Sequence, residues 1–463
     1  MSGVEIISQG ARGAGLSADL RRELERRIPR YTSYPTAPQF SAGITAATYG
    51  QWLQQLPHDA ALSLYLHVPF CAELCLYCGC HTTVVRSYTP VAAYVDLLEH
   101  EIDLVADQLD PRGPLTQLHW GGGTPTVLSP ADFLRLTERL RMRFDFRRDA
   151  ESAVEIDPRT LTPDHVVALA EAGITRASLG VQDFEFRVQQ AIGRTQSYAQ
   201  TADAADRLRA AGVRSINLDL IYGLPYQTVS SIKATMRLAL TLDPDRIALF
   251  GYAHVPWMKR HQKLLPEQAL PQTEERFAQS QAAAEVLTGA GYVAIGLDHF
   301  AKPHDLLARR QRQGRLHRNF QGYTTDEASA LIGFGTSAIG ALPQGYLQNA
   351  PGTPDYREAI MAGRLATVRG YALTDEDRLR GAIIERLMCD LRADIAAISA
   401  AHGAAIDFAP EFAAIDALAR DGIVQRSGST IVVPNNARPF VRTVCAAFDA
   451  YLSRDDGRYS RAG

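Results

Sequence analysis

The stretch LSLYLHVPFCAELCLYCGC, residues 62–80, joins an apolar run typical of a buried β-strand to a loop that carries four cysteines. These cysteines, Cys71, Cys75, Cys78 and Cys80, have the spacing C-x3-C-x2-C-x-C. They begin directly after the strand ends. Because the carboxyl ends of parallel strands open on one face of an α/β fold, this position predicts a functional loop on that face.

The alternation of apolar β-rich runs and helical segments continues to about residue 300. Ser129-Pro130 and Thr162-Pro163 each place a capping residue before a proline, which predicts two helix starts. After the strand at residue 62, the further β-rich runs are LTQLHW, SAVEI, ITRASLGV, SINLDLIYG, RIALFGYA and YVAIGLDHF. Polar or glycine-containing sequences follow successive strands, which favours a barrel over an open doubly wound sheet. We therefore predict an α/β fold, a complete or partial (β/α) barrel of about six parallel strand–helix units.

Three regions of the chain differ in pattern. Residues 1–45 form an N-terminal arm, in which residues 1–15 are expected to be an unstructured extension and a short charged helix follows. Residues 46–355 contain the barrel domain and its C-terminal extension. Residues 356–463 carry helical patterns around a small hairpin, so we predict a mostly helical C-terminal domain there.

Composition excludes several classes of protein. The 463 residues include 48 Lys and Arg against 51 Asp and Glu, a net charge of −3, so no basic field favours nucleic acid or an acidic membrane. No apolar run reaches the length of a membrane helix, and the N-terminus lacks the apolar core of a signal peptide. We expect a cytoplasmic protein, and a monomer.

The cysteine loop has three interpretations. Buried structural cysteines seldom cluster in this way, and a disulfide is not expected in a cytosolic chain. Zinc is the serious alternative, although a zinc site usually takes its second pair of ligands from a distant segment. Three thiolates in one compact loop can instead hold three corners of an iron–sulfur cube and leave the fourth iron open to a small ligand. The spacing favours the iron–sulfur cluster.

Two further features adjoin the cysteines in the predicted barrel. Tyr77 suits a shield over a cluster or a platform for a heteroaromatic ligand, although a lone tyrosine is more often packing. The run Gly121 to Thr126 permits close backbone approach and offers N–H groups to a polar ligand. Most glycine-rich turns merely turn, but this one follows the second strand and faces the cysteine loop.

At this level of detail the sequence resembles a known family. The segments that carry the resemblance are PRYTSYPTAPQF (29–40), CAELCLYCGC (71–80), HWGGGTPT (119–126), GVQDF (180–184), NLDLIYGLP (217–225), YAHVP (252–256), DHFA (298–301) and HRNFQGYTT (317–325). Together they resemble the oxygen-independent coproporphyrinogen III oxidase family within the radical S-adenosylmethionine superfamily. The similarity extends from about residue 29 to residue 452.

The resemblance implies the cofactors and the residues that hold them. Cys71, Cys75 and Cys78 would bind a 4Fe-4S cluster, whereas Cys80 would stay off the cluster and act, with Tyr77, as a catalytic residue. The family uses two S-adenosylmethionine molecules, and Tyr77 replaces the phenylalanine common at its position. The residues implied to contact these two molecules are Tyr65, Tyr77, Gly122, Gly123, Thr124, Glu155, Gln182, Arg194, Asp219, Ala253 and Ile339.

The resemblance also implies the substrate and the reaction. Coproporphyrinogen III carries four propionates, two of which are oxidatively decarboxylated to vinyl groups to give protoporphyrinogen IX in heme biosynthesis. A tetra-anion requires cations near the barrel mouth, because an unpaired desolvated carboxylate is costly. The candidate substrate contacts are Arg30, Lys302 and Arg318, with Tyr31 and Tyr34 closing the site from above. A low-potential electron donor and an electron acceptor are expected partners.

Two alternative functions remain at this stage. One is a heme-binding or heme-trafficking relative in the same superfamily that lacks oxidase activity. Such relatives lack the N-terminal PRYTSYPT arm and the fourth cysteine, both of which are present here. The other alternative is a barrel stabilised by zinc, which would be colourless where an iron–sulfur protein is brown.

Overall fold

A computed structural model describes residues 16–109, 113–403, 406–452 and 459–462. Its largest sheet has twelve strands, which we label β1 to β12 in chain order. Their bounds are Leu62–Val68, Pro114–Gly122, Asp145–Ile156, Arg176–Gln182, Ser215–Tyr222, Arg246–Gly251, Val293–Ile295, His299–Ala301, Ala330–Phe334, Ile339–Leu342, Gly345–Asn349 and Thr367–Ala372. The predicted extension over residues 1–15 lies outside the described residues.

The strands β1 to β6 are parallel and lie side by side in chain order. On the other side of β1 the parallel strand β9 follows, and β10, β11 and β12 continue the sheet antiparallel. At the opposite edge β8 and β7 pair antiparallel beyond β6. The prediction of a partial barrel with six parallel strand–helix units is confirmed.

The last predicted strand, YVAIGLDHF, is instead a hairpin of β7 and β8. Gly296 has φ of +50° in the turn, a backbone region that favours glycine, and a Cβ there would overlap the ring of Tyr323. The Tyr323 hydroxyl also accepts a hydrogen bond from the backbone N–H of Leu297 at 2.8 Å. The turn between β7 and β8 is therefore in contact with Tyr323, which is distant in sequence, and the apolar pattern did not indicate this turn.

Helices cover the outer face of the parallel strands. Ser129 and Thr162 cap two of them as predicted, each accepting a hydrogen bond from the backbone N–H of the third residue of its helix. The helices of this region are Ala46–Gln54, Thr89–Ala106, Pro130–Arg143, Pro163–Glu171, Phe186–Ala191, Tyr198–Ala210, Val229–Thr241, Thr273–Gly289, Leu306–Arg312 and Thr353–Met361. Apart from Phe186–Ala191 and Leu306–Arg312, which belong to smaller apolar clusters, these helices form one continuous core with the sheet, centred on side chains such as Trp120, Leu66 and Leu218.

The C-terminal region is mostly helical, as predicted. Its helices Asp375–Asp390, Ile395–Ala401, Ala409–Arg420 and Val441–Ala446 surround a three-stranded sheet of Arg392–Asp394, Thr430–Val432 and Gln425–Ser427. We place its start after β12, because that strand completes the large sheet by pairing with β11. The predicted boundary at residue 356 therefore moves beyond Ala372.

The described part of the N-terminal arm packs on this C-terminal region. Its helix Ala18–Glu25 contributes Leu20 and Leu24 to an apolar core shared with Leu387 and Phe440. The arm is thus part of the C-terminal core rather than an independent unit. None of the helices in the described ranges is long and apolar enough to cross a membrane.

Candidate active site

A cavity of about 610 Å³ opens at the carboxyl ends of the parallel strands, and all four clustered cysteines line it. We call it the cysteine cavity. Residues from the ends of β2 to β6 complete its wall, among them Gly122, Glu155, Gln182 and Asp219. The barrel thus gathers on one face the segments that are separated in the sequence.

Each of the first three cysteine sulfurs faces a hydrogen-bond donor. Cys71 Sγ accepts from the Thr82 hydroxyl at 3.2 Å, and Cys78 Sγ accepts from the backbone N–H of Cys80 at 3.4 Å. Cys75 Sγ accepts from the Arg194 guanidinium at 3.6 Å. A hydrogen bond from Cys80 lowers the pKa of the Cys78 thiol to about 6. Donors directed at sulfur stabilise thiolates, which are the form that binds iron.

The glycines at the end of β2 leave room for two groups, the Glu155 carboxylate and the Phe70 carbonyl, that approach the backbone closely. A Cβ on Gly121 would lie 2.7 Å from a carboxylate oxygen of Glu155, and one on Gly123 would lie 2.5 Å from the carbonyl oxygen of Phe70. The backbone N–H of Gly122 donates to the Glu155 carboxylate at 3.2 Å. Glycine therefore brings β2 against both β3 and the cysteine loop.

A buried ion-pair cluster supports the cysteine loop from below. Asp157, at the end of β3, pairs with Arg194 at 3.1 Å and with Arg159 at 2.7 Å. Both guanidiniums also lie near Cys75 Sγ, and Arg159 bonds Glu73 of the loop at 2.8 Å. Burial raises the pKa of Asp157, but the hydrogen bond from Arg159 and the charge of Arg194 lower it below its ordinary value. Asp157 therefore stays ionised and fixes both arginines.

Sequence analysis did not identify the segment that holds the outer side of the cysteine loop. Gln262, His261 and Lys259 donate hydrogen bonds to the backbone carbonyls of Tyr77, Cys78 and Cys80, at 2.9, 2.8 and 2.7 Å. The donors belong to the polar run KRHQK that follows β6. The sequence signal that could have indicated this segment was a run of hydrogen-bond donors directly after a barrel strand, since loops at that position open on the functional face.

A second polar layer fixes the carboxylate of Glu155. His119 on β2 donates to it at 3.1 Å. Burial raises the pKa of Glu155, but the hydrogen bond and charge of His119 lower it below its ordinary value. Nearby, His67 Nε2 donates to the carbonyl of His81 and Nδ1 accepts from the Tyr65 hydroxyl, and burial lowers the His67 pKa to about 4. Glu155 is thus an ionised acceptor beside a neutral histidine.

The structure brings most of the residues with implied cofactor contacts into one place. Tyr65 and Ile339 do not line the cysteine cavity. Asp219 accepts from Ser178 and from Asn217, both at 2.8 Å. The residues that do line it are Tyr77, Gly122, Gly123, Thr124, Glu155, Gln182, Arg194, Asp219 and Ala253, together with Cys80.

The residues suggested for the substrate are dispersed, and three of these predictions are corrected. Lys302 pairs with Asp243 at 2.8 Å before the start of β6, at the end of the barrel opposite the cysteine cavity. Tyr31 and Tyr34 are buried in the C-terminal core, where the Tyr31 hydroxyl donates to Asp449. Their aromatic side chains satisfy that core and do not line the cavity.

The two suggested arginines lie nearer to the site. Arg30 lines the cysteine cavity and donates to the carbonyl of Gly251, at the end of β6, at 3.0 Å. Arg318 lies behind it and donates to the carbonyl of Arg30 at 3.4 Å. Arg318 lines a neighbouring cavity instead of the cysteine cavity.

Comparison with known proteins agrees with this geometry. Residues 65–239 match the Radical SAM superfamily. The chain is 52% identical to the oxygen-independent coproporphyrinogen III oxidase of Bradyrhizobium diazoefficiens, over 95% of this chain and 98% of the relative. The chain belongs to this oxidase family. The family member of Paracoccus denitrificans is 43% identical over 92% of this chain and 95% of its own length.

A solved structure of the family has the same fold. Coproporphyrinogen III oxidase (HemN) from Escherichia coli, described as a Radical SAM enzyme, superimposes with a TM-score of 0.87 at 38% identity. The superposition covers 92% of this chain and 100% of that chain. The similarity thus includes the C-terminal region as well as the barrel, and the heme-trafficking alternative is not favoured.

The cysteine cavity fits the cofactors of the superfamily, a 4Fe-4S cluster and S-adenosylmethionine. Three sulfurs with donors directed at them line the same cavity as the ionised Glu155. Nε of Arg194 is buried and has no hydrogen-bond partner in the described part of the chain, which leaves a donor for a bound group. Among the described residues no three His, Cys, Asp or Glu side chains converge on one metal ion. A cube does not need such convergence, because each thiolate binds a different iron.

Proposed function

We propose that this chain catalyses the anaerobic oxidative decarboxylation of two propionates of coproporphyrinogen III to vinyl groups, giving protoporphyrinogen IX in heme biosynthesis. The observation that carries this proposal is the 52% identity, over almost the whole of both chains, with a relative named for coproporphyrinogen III oxidation. The cysteine cavity supplies the matching chemistry. The proposal accounts for the cavity, the three thiolates and the polar residues around them.

The protein's own groups hold and orient the cofactors. Cys71, Cys75 and Cys78 would ligate the cluster, and Arg194 orients Cys75 because Asp157 fixes its guanidinium at 3.1 Å. When bound, the reduced cluster and S-adenosylmethionine supply a 5′-deoxyadenosyl radical that removes a hydrogen atom from the propionate carbon attached to the ring. Loss of carbon dioxide and one electron from the substrate then leaves the vinyl group.

The remaining polar residues suit the binding of S-adenosylmethionine. The ionised Glu155 is an acceptor for an ammonium or ribose hydroxyl, and the Gly122–Gly123 backbone admits a ligand closely. Gln182 and Asp219 lie on β4 and β5, farther along the cavity wall. This separation into two polar groups supports two S-adenosylmethionine molecules, one near the cluster and one beyond it. Cys80 and Tyr77 act beside them without ligating iron.

The partners follow from the electron balance. An electron donor of low potential must reduce the cluster, and an acceptor must take the electron released with each carbon dioxide. Residues of one chain supply the cysteine loop and the polar wall of the cysteine cavity, and we propose a monomer on this basis.

An anaerobic activity assay tests the proposal. Protein reconstituted with iron and sulfide is incubated with coproporphyrinogen III, S-adenosylmethionine and dithionite, and we expect protoporphyrinogen IX together with methionine and 5′-deoxyadenosine. Cys71→Ser should give none of these products, whereas Thr83→Ala, an exposed change in the same loop, should be active. Tight heme binding without turnover by wild-type protein would contradict the proposal and support the heme-trafficking alternative.

A further inference from the structure

A second cavity, of about 910 Å³, lies between the end of the barrel and the C-terminal region. Among the described residues, seven arginines and three acidic residues line it, so the positive charges of these residues exceed their negative charges by four. We call it the arginine cavity. It adjoins the cysteine cavity, because Arg30, Gly251, Tyr252 and Ser460 line both. A ligand too large for one cavity can therefore extend into the other.

Three arginines that line this cavity, Arg30, Arg318 and Arg442, bond backbone carbonyls rather than the carboxylates that usually accompany buried arginines. Arg442 is 4% exposed and donates to the backbone carbonyls of Pro29, Ile28 and the C-terminal tail. Arg30 and Arg318 likewise donate to carbonyls. None of these three has a carboxylate within 4.0 Å in the described part of the chain. Carbonyl dipoles offset a buried positive charge less well than an anion does.

Arg318 shows this lack of an anionic partner most directly. Its Nε and Nη1 atoms are both buried and have no hydrogen-bond partner among the described residues, although the guanidinium packs over the ring of Tyr323 at 4.4 Å. These two nitrogens lie on different edges of the guanidinium, so each is a separate unsatisfied donor for an anionic oxygen. Burial also lowers the pKa values of Arg438 and Arg442, to about 10 and about 9, as expected where positive charge is not neutralised.

The three acidic residues that line the arginine cavity within the described ranges do not neutralise it. Glu285 lies 3.7 Å from Lys233, and Asp390 pairs with Arg386 at 2.7 Å, so both already face cations outside the lining. Asp298 accepts from His299 at 2.8 Å. Burial raises the pKa of Asp298, but the His299 hydrogen bond and the charges of Arg318 and Arg30 bring it to about 2. Asp298 is thus one ionised acceptor in a basic wall.

We propose that the arginine cavity binds the two propionates of coproporphyrinogen III that are not decarboxylated, with Arg318 and Arg30 as their main partners. This inference rests on the proposed function. The two persistent propionates are on adjacent pyrroles, opposite the two that react, so a macrocycle spanning both cavities places the reacting pair toward the cysteine cavity. Asp298 then faces the pyrrole N–H groups, which need acceptors.

The reaction itself explains why the cations belong at this end. A strong pair between an arginine and a reacting propionate would stabilise the starting carboxylate, and that interaction is lost as carbon dioxide forms. An ion pair with a persistent propionate has the same strength before and after the reaction. In the cysteine cavity, correspondingly, Arg159 and Arg194 are already paired with Asp157.

Binding of coproporphyrin III, the stable oxidised form with the same four propionates, tests the inference on reconstituted full-length protein. In a fluorescence titration, the affinity of Arg318→Gln for coproporphyrin III should be roughly ten- to a hundred-fold lower than that of wild type, because a charge-assisted pair is lost. Arg318→Lys should be intermediate, since it keeps the charge but not the two-donor geometry. Arg309→Gln, an exposed change on the helix Leu306–Arg312, is the matched control and should bind as wild type. The tetramethyl ester of coproporphyrin III should not distinguish wild type from Arg318→Gln.

Turnover separates this inference from the proposed function. Arg318→Gln should raise KM for coproporphyrinogen III while iron content and substrate-free cleavage of S-adenosylmethionine stay at wild-type levels. Wild-type affinity of Arg318→Gln for coproporphyrin III would overturn the inference. If that variant does not fold, Arg30→Gln replaces it with the same expected loss of binding, and unchanged binding there overturns the inference equally. Wild-type protein that binds coproporphyrin III through Arg318 but forms no protoporphyrinogen would refute the proposed function alone.

Discussion

The cysteine cavity and the arginine cavity share a wall at Arg30 but balance their charges in different ways. In the cysteine cavity, Arg194 and Arg159 each pair with the buried Asp157. In the arginine cavity, Arg318 and Arg442 rely on backbone carbonyls. Paired charges give a rigid holder for a cofactor that stays in place. Unpaired positive charges instead give a site that is completed only when an anionic ligand arrives.

The two cavities also differ in how the chain builds them. The cysteine cavity uses consecutive strand ends of one barrel, so each contribution follows a strand in order. The arginine cavity combines Arg30 of the arm, Arg276 of a barrel helix, Arg318 beyond the barrel and Arg442 of the C-terminal region. Separate changes in the two cavities should therefore have separate effects.

The largest expected effect is the loss of the cluster on replacing one of its three cysteines. Cys71→Ser, Cys75→Ser and Cys78→Ser should each lose iron, the brown absorption and all activity, because a cube corner lacks its ligand. Coproporphyrin III should still bind in the arginine cavity. Cys80→Ser should keep its iron while product formation falls. Iron loss in Cys80→Ser equal to that in Cys71→Ser would show that Cys80 is a ligand.

The second expected effect is a difference in the free energy of unfolding between variants of one arginine from each cavity. Arg194→Gln breaks a buried pair and should cost about 2–4 kcal/mol of unfolding free energy. Arg30→Gln removes an arginine that has no carboxylate partner within the described ranges, so its cost should be below about 1 kcal/mol. Denaturant titration with cluster content as a second readout measures both. Equal destabilisation by the two changes would contradict the distinction between the carboxylate-paired arginines of the cysteine cavity and the carbonyl-bonded arginines of the arginine cavity.

Much of the cysteine cavity was predictable because its signals are local. The cysteine spacing and the glycine run are contiguous, and each follows a strand whose apolar pattern is clear. Asp157 directly follows the quoted run SAVEI, yet its role depends on Arg194, thirty-seven residues away. No periodicity reports such a pairing. The sequence therefore indicated candidate ligands for the cluster but not the charges beside them.

The substrate residues were harder to predict because their side-chain directions depend on domain packing. Tyr31 and Tyr34 stand beside Arg30 in one motif, but the C-terminal core takes both aromatic rings while Arg30 faces the cavities. Lys302 follows a short strand that runs antiparallel to β6, so it emerges at the opposite end of the barrel. Reversal of that one strand was enough to misplace the lysine.

The third effect concerns the support of the cysteine loop. Gln262 is 1% exposed, donates to the carbonyls of Tyr77 and Ala253, and accepts from the N–H of Val255. Gln262→Ala should speed iron release to a chelator by roughly five- to twenty-fold, because loop opening becomes easier. Gln268→Ala, an exposed change nearby, is its control. Porphyrin affinity should not change in either variant, and iron release at the wild-type rate in Gln262→Ala would show that this side chain does not hold the loop.

The smallest expected effect is the response of the two cavities to salt. Binding in the arginine cavity depends on an excess of positive charge, so raising potassium chloride from about 0.05 M to about 0.5 M should raise the coproporphyrinogen III KM several-fold, because the Debye length shrinks. The S-adenosylmethionine KM should change less, since the charges of the cysteine cavity are already paired. Arg318→Gln should have a weaker salt response than wild type, because one of the screened charges is gone. Steady-state assays on wild type, Arg318→Gln and Arg309→Gln measure this, and identical salt slopes in all three would place the propionates away from Arg318.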